Sequence, residues 1–116
     1  MPLTEESVGQ APELLDFLAS MVRLDASDLF LTVGAPATCK VEGQLVPLAK
    51  QPLARGAVWE LARAIMTPEQ VAQFQRDLEC DLALTLDRLG RFRFNVYVQR
   101  GEVSMVVRHV RSHVPS

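Results

Sequence analysis

The sequence has few cysteines, and their positions suggest neither a metal site nor a disulfide framework. Cys39 and Cys80 stand far apart and form no C-x-x-C pair, whereas zinc sites and small disulfide-stabilised domains use closely spaced cysteines. Isolated cysteines of this kind are usually reduced, small, partly buried side chains. We assign them no chemistry and predict no metal site.

Long apolar runs and an excess of one charge are also missing. No apolar run approaches the roughly 20 residues that cross a bilayer, and the first residues, MPLTEESVGQ, are acidic, unlike a secretory signal. The formal net charge of -2 argues against a general nucleic-acid binder. With 48% apolar and 22% charged residues, the composition is typical of one soluble globular domain. We expect a cytoplasmic protein without membrane insertion or a nucleic-acid partner.

Positive charge is concentrated near the C-terminal end. Only one acid, Glu102, follows position 87. Six of the 12 Lys and Arg residues lie there: Arg88, Arg91, Arg93, Arg100, Arg108 and Arg111.

The same region, RFRFNVYVQRGEVSMVVRHV, has the pattern of a β-hairpin with one apolar face. Apolar residues alternate with polar ones in both arms, which is the period of a half-buried strand. Arg100-Gly101 provides a tight turn. With a two-residue loop, Arg93 pairs directly with Arg108 across the ladder. The apolar series is Phe92, Phe94, Val96, Val98, Val103, Met105 and Val107.

The predicted pairing of Arg93 with Arg108 depends on loop length. A three-residue loop would move one arm to the other face, but only the two-residue loop places both apolar series on one side. Like charges opposite each other are destabilising. A bound anion would explain why the sequence carries such a pair. The alternative is that both guanidinium groups simply reach water.

The remaining sequence predicts an α+β fold with an antiparallel sheet. A helix starting near Pro12 precedes three short strands at 29–33, 38–41 and 45–48, the last an edge strand because of Pro47. A second helix follows Pro52. Thr67-Pro68-Glu69-Gln70 has the pattern of a capping box that starts a third helix, with Val71, Phe74 and Leu78 facing inward. A strand through Leu82, Leu84 and Leu86 then leads into the hairpin.

Several short motifs resemble the N-terminal domain of the type IV pilus retraction ATPases, the PilT/PilU family of twitching motility. They are Ala26-Ser27-Asp28-Leu29-Phe30-Leu31, Gly34-Ala35-Pro36, Lys40-Val41-Glu42-Gly43 and Gly90-Arg91-Phe92-Arg93-Phe94-Asn95. Their order matches that family over about residues 13–116. Phe30 and the segment 97–100 make the PilU branch the closer relative.

The resemblance implies a PAS-like antiparallel sheet of about five to six strands with three helices packed on it. Residues 1–11 would be a flexible arm, 12–112 the PAS-like domain, and 113–116 the start of a linker to a RecA-like ATPase domain. The parent protein would be a hexameric, ATP- and Mg²⁺-binding motor at the cytoplasmic face of the inner membrane. Its partners would be its own RecA-like domain, neighbouring subunits, a PilT-like ATPase and the inner-membrane platform protein.

The resemblance also implies a role for the paired arginines. In related secretion ATPases two arginines of this domain approach the nucleotide phosphates, and Arg93 and Arg108 match them. Phe94 and Asn95 depart from the family pattern without removing charge. The sequence has no G-x-x-x-x-G-K-[ST] motif, so we predict no catalytic residue, cofactor or ATP hydrolysis for this chain alone.

Other candidates are weaker. His109 falls on the apolar face, where a hydrogen-bonded ring is expected, and His113 follows at a spacing that builds no zinc site on a strand. Asp77, Glu79 and Asp81 are predicted to be solvated or bonded to local backbone, without a cleft. The alternative function is a PAS-like sensory or docking domain that binds a metabolite or a pilus-machinery protein; a stand-alone enzyme ranks third. We expect the isolated domain to be a monomer or weak dimer.

Overall fold

Three helices and six strands follow one another along residues 12–111, the part of the chain that the computed structural model describes. The helices are α1 (Pro12–Arg23), α2 (Ala57–Ala64) and α3 (Pro68–Asp77). The strands are β1 (Asp28–Leu31), β2 (Thr38–Val41), β3 (Gln44–Pro47), β4 (Glu79–Leu86), β5 (Gly90–Gln99) and β6 (Glu102–Val110).

The six strands form one sheet in the order β3-β2-β1-β6-β5-β4, and every neighbouring pair is antiparallel. Each half of the sheet is built from three consecutive strands. The pairing of β1 with β6, which aligns Leu29 with Val107, joins the two halves. The predicted α+β fold is confirmed, including β3 as an edge strand.

The helices cover one face of the sheet, which we call the covered face. Helix α1 contacts β1, α2 contacts β6, and α3 contacts β4. The helices contribute apolar residues at helical spacing, and the strands contribute every second residue. Buried side chains from both layers form one core, whose largest members are Phe92, Phe94, Leu14, Leu18, Met21, Leu29, Leu31, Ile65 and Met105.

The turn between β5 and β6 has the predicted two-residue length. Gln99 pairs with Glu102, so Arg100 and Gly101 form the loop. Their φ angles are 53° and 76°, and positive values at both positions are those of the hairpin turn that matches strand twist. The turn therefore fixes the register of the whole hairpin.

Helix α3 begins at the predicted capping box. The Thr67 hydroxyl accepts the Gln70 backbone N–H at 3.2 Å, and the Gln70 side-chain oxygen accepts the Thr67 backbone N–H at 2.9 Å. Two donors that a helix start otherwise leaves without partners are thereby satisfied.

The structure differs from the sequence predictions in two places. Strand β1 ends at Leu31, short of the predicted end at Val33. Leu78 does not face inward: it ends α3 with φ 59°, in the left-handed region, and is 54% exposed. The second helix follows Pro52 as predicted; it starts at Ala57, and Leu53 before it forms an isolated parallel bridge to Val33.

Some predictions fall on residues outside the described range. These are the arm at 1–11, the end of the domain at residue 112, and the linker start at 113–116 with His113. Within residues 12–111, none of the helices has the length and apolar character needed to cross a membrane.

Candidate functional site

Arg93 and Arg108 lie side by side on the second face of the sheet, which we call the open face. They are direct partners in the β5–β6 ladder, as the two-residue loop predicts. Both are exposed, and both line a shallow depression of about 350 Å³. The other lining residues are Asp81, Phe94, Asn95 and Val106.

The direction of Arg93 follows from the residues on either side of it. Phe92 and Phe94 point into the core and are 0% and 1% exposed. Because successive side chains of a strand point to opposite faces, Arg93 must lie on the open face. The buried phenylalanines thus fix the direction of the arginine.

One carboxylate accompanies the arginine pair, and sequence reasoning missed it. Asp28 of β1 pairs with Arg108 on the side away from Arg93. Its Oδ1 lies 3.4 Å from Arg108 Nε, and its Oδ2 accepts the Ser27 hydroxyl at 2.7 Å. Arg93 forms no ion pair within residues 12–111. The like charges are therefore compensated at one arginine only.

Asp81 of β4 and Asn95 of β5 also line the depression and are hydrogen-bonded to each other. The Asn95 amide donates to Asp81 Oδ1 at 2.7 Å and to Glu79 Oε1 at 3.3 Å. Both acids are exposed, but the expectation of no cleft around them is wrong for Asp81, which lines the depression. The β4–β5 register, which aligns Asp81 with Asn95, explains this placement.

His109 has the hydrogen-bonded ring that we predicted. Its Nε2 lies 2.9 Å from the Leu89 carbonyl oxygen, to which it donates, and its ring stacks on Phe92 with centroids 4.8 Å apart. Gly90 lies close to the Nε2 edge of the ring. A Cβ there would lie 3.1 Å from Nε2, and its φ is 100°, so the position requires glycine. Among the described residues, no three His, Cys, Asp or Glu side chains form a group that could hold a metal ion.

Both cysteines are free and buried, in agreement with the sequence prediction. Burial raises the pKa of the Cys39 and Cys80 thiols, and the negative charge of Asp81 raises the pKa of Cys80 further. The thiolate is the reactive form of cysteine. Neither residue is therefore set up as a nucleophile near neutral pH.

Comparison with known proteins shows similarity to pilus ATPases. No family model matches the chain. The type IV pilus ATPase PilU of Pseudomonas aeruginosa is 35% identical over 104 residues, which is 90% of this chain, and the retraction ATPase PilT of the same organism is 30% identical over 102 residues, which is 88%. The chain spans 27% and 30% of the lengths of these relatives.

Two solved structures support the same comparison. The pilus retraction motor PilT with bound ADP matches 87% of this chain at 29% identity, with a TM-score of 0.79, over 30% of its own length. The Legionella pneumophila ATPase DotB matches 90% of the chain and 30% of its own length with a TM-score of 0.74. At 22% identity the second match shows the fold alone.

Proposed function

We propose that the chain is the N-terminal domain of a PilT/PilU-family ATPase and serves as the assembly and regulatory domain of a hexameric pilus retraction motor. In this proposal Arg93 and Arg108 contact the phosphates of ATP. The nucleotide and Mg²⁺ are held by a RecA-like domain outside this sequence. The motor works at the cytoplasmic face of the inner membrane, with neighbouring subunits, a PilT-like ATPase and the platform protein as partners.

The observation that carries this proposal is the pairing of two exposed arginines across one ladder. Arg93 and Arg108 are adjacent in the β5–β6 register and line the same depression. Guanidinium groups keep their charge and offer a planar set of donors that suits phosphate oxygens. Such groups lower a reaction barrier where negative charge develops on the transferring phosphoryl group.

The shape of the depression supports a contribution to a shared site. It is partly open to solvent and lies on a sheet face rather than in a closed cavity. Small-molecule sites usually bury most of the ligand surface, which an open depression of this kind does not do. A second domain would have to complete the pocket, with this chain supplying charge.

Arginine substitutions in the full-length ATPase test the proposal. We expect Arg93→Ala and Arg108→Ala each to lower ATP turnover by at least about tenfold, because each removes a phosphate-stabilising donor. Arg91→Ala is the matched control: Arg91 lies on the same strand and face but does not line the depression. Unchanged turnover in both test variants would exclude a phosphate contact.

The alternative of a docking domain has one observation in its favour. Leu78 is 54% exposed beside Trp59 and Val103, so an apolar groove is open to a protein partner. If the pilus machinery docks there, Leu78→Lys should weaken partner association and leave ATP turnover unchanged. Arg93→Ala and Arg108→Ala should instead lower ATP turnover and leave partner association unchanged.

A further inference from the structure

The open face carries a row of charges that extends beyond the arginine pair. Register aligns Lys40 of β2 with Asp28 of β1, Asp28 with Arg108 of β6, and Arg108 with Arg93 of β5. One carboxylate therefore stands within a row of three cations. This carboxylate, Asp28, contacts both Ser27 and Arg108.

Asp28 is held more firmly than the arginine that it contacts. Its side chain is 14% exposed, whereas that of Arg108 is 72% exposed. Both of its oxygens are engaged, Oδ2 by the Ser27 hydroxyl at 2.7 Å and Oδ1 by Arg108 Nε at 3.4 Å. A largely buried carboxylate with a second hydrogen bond therefore contacts an exposed cation.

The atom of Arg108 that Asp28 contacts determines which N–H donors of the guanidinium group stay available. Asp28 engages Nε, near the base of the guanidinium group. The two terminal amino groups carry four of its five N–H donors, and they make no hydrogen bond within the described part of the chain. The contact thus restrains the group while leaving most of its donors available in the depression.

We propose that Asp28 is a positioning residue for Arg108, holding its guanidinium group so that the terminal amino groups meet a phosphate. This proposal rests on the proposed function of the arginine pair. Arg108, one member of the ion pair, is 72% exposed, and solvent-screened pairs add little to stability, so Asp28 variants should fold. Orientation of a charged donor, by contrast, strongly affects the rate of a reaction.

The first experiment uses the 116-residue chain. The Nε–H resonance of Arg108 is followed by NMR in the wild type, Asp28→Ala and Asp28→Asn, because asparagine keeps an acceptor oxygen without the charge. We expect Asp28→Ala to shift this resonance and speed its exchange with water, with Arg93 unaffected and Asp28→Asn intermediate. An unchanged Arg108 resonance in Asp28→Ala would overturn the proposal.

The second experiment measures kcat and KM for ATP in the full-length ATPase. We expect Asp28→Ala to lower kcat about tenfold with little change in KM, and Asp28→Asn to recover most of the loss. The double variant Asp28→Ala/Arg108→Ala should match Arg108→Ala alone, because Asp28 acts through Arg108. Glu60→Ala, which breaks the exposed ion pair with Arg63 on α2, is the control and should be silent.

The outcomes separate this inference from the proposed function. A loss of turnover in Arg108→Ala without a loss in Asp28→Ala would refute positioning and leave the phosphate contact in place. Equal increases of turnover in Asp28→Ala and Asp28→Asn would show a competing counter-charge instead, and would also refute positioning. Unchanged turnover in Arg108→Ala would overturn both the phosphate contact of Arg108 and the positioning role of Asp28, even where the NMR contact is observed.

Discussion

The two faces of the sheet are made from the same strands and differ in almost every physical property. On β5, Phe92 and Phe94 lie on the covered face and are 0% and 1% exposed, while Arg91 and Arg93 on the open face are exposed. The covered face is filled by helices α1, α2 and α3. The open face has an arginine pair, one fixed carboxylate and a shallow depression.

The difference separates stability from function. Burial of apolar surface is the main favourable contribution to folding, so the covered face should determine whether the chain folds. Arg93 on the open face has no ion pair within residues 12–111, and an exposed cation of this kind contributes little to stability. Substitutions of neighbouring residues on one strand should show this contrast.

The largest expected effect is on the covered face. Phe92→Ala should lower the free energy of unfolding by about 3–5 kcal/mol, because it removes a fully buried ring and leaves a cavity. Urea unfolding of the 116-residue chain measures it, with Val98→Ala as control because Val98 is 38% exposed on the same strand. A loss below about 1 kcal/mol for Phe92→Ala would show that the covered face does not dominate stability.

A smaller loss of stability is expected at Gly90, where β5 begins next to His109. Gly90→Ala should cost about 2 kcal/mol, because the position has φ 100° and the new Cβ would lie 3.1 Å from His109 Nε2. Gly101→Ala isolates the backbone part of this cost, since φ is 76° and nothing lies within 4 Å. Equal losses in the two variants would show that contact with His109 is unimportant.

On the open face, removing one arginine should barely change stability. Arg93→Ala should alter the free energy of unfolding by less than about 1 kcal/mol, with a slight gain at low salt because a like-charge pair is relieved. The gain should shrink as salt screens the repulsion. Arg91→Ala, whose ladder partner is the uncharged Val110, should show no such gain. A clear loss of stability in Arg93→Ala would show that this arginine supports the fold.

The smallest effect concerns pH and the buried thiols. Burial raises the pKa of Cys39 and Cys80 above the ordinary value of 9.0. Well below that value the thiols are protonated in both the folded and the unfolded chain, so they add no pH dependence to the free energy of unfolding. As pH rises through it, the unfolded chain loses thiol protons first and stability falls. Urea midpoints between pH 7 and 10 should fall less in a Cys39→Ala/Cys80→Ala variant; identical slopes would contradict burial of the thiols.

Much of the fold could be predicted from local patterns. The β5–β6 register, the capping box at Thr67 and the edge position of β3 all follow from residues close together in sequence. The bridge that joins Leu53, ahead of α2, to Val33 could not be predicted, because its two residues are distant in sequence. The exposure of Leu78 was missed because an apolar residue at helical spacing adopts a left-handed conformation instead.

The candidate site was predictable in part for the same reason. Arg93 and Arg108 belong to one hairpin, so turn length alone places them together. Asp28 reaches Arg108 only through the pairing of β1 with β6, which no local pattern encodes. Asp81 joins the depression through the β4–β5 register, and its alternation with Cys80 and Leu82 was the available signal.

The two-residue loop at Arg100-Gly101 makes the hairpin sensitive to the parity of its length. Inserting a single residue there would invert one arm relative to the other, directing either the arginine or its apolar neighbours to the wrong side. Inserting two residues would preserve the alternation and change only the reach of the loop. Length variation at this turn is therefore compatible with the paired arginines in even steps, or in odd steps where a β-bulge absorbs the extra residue.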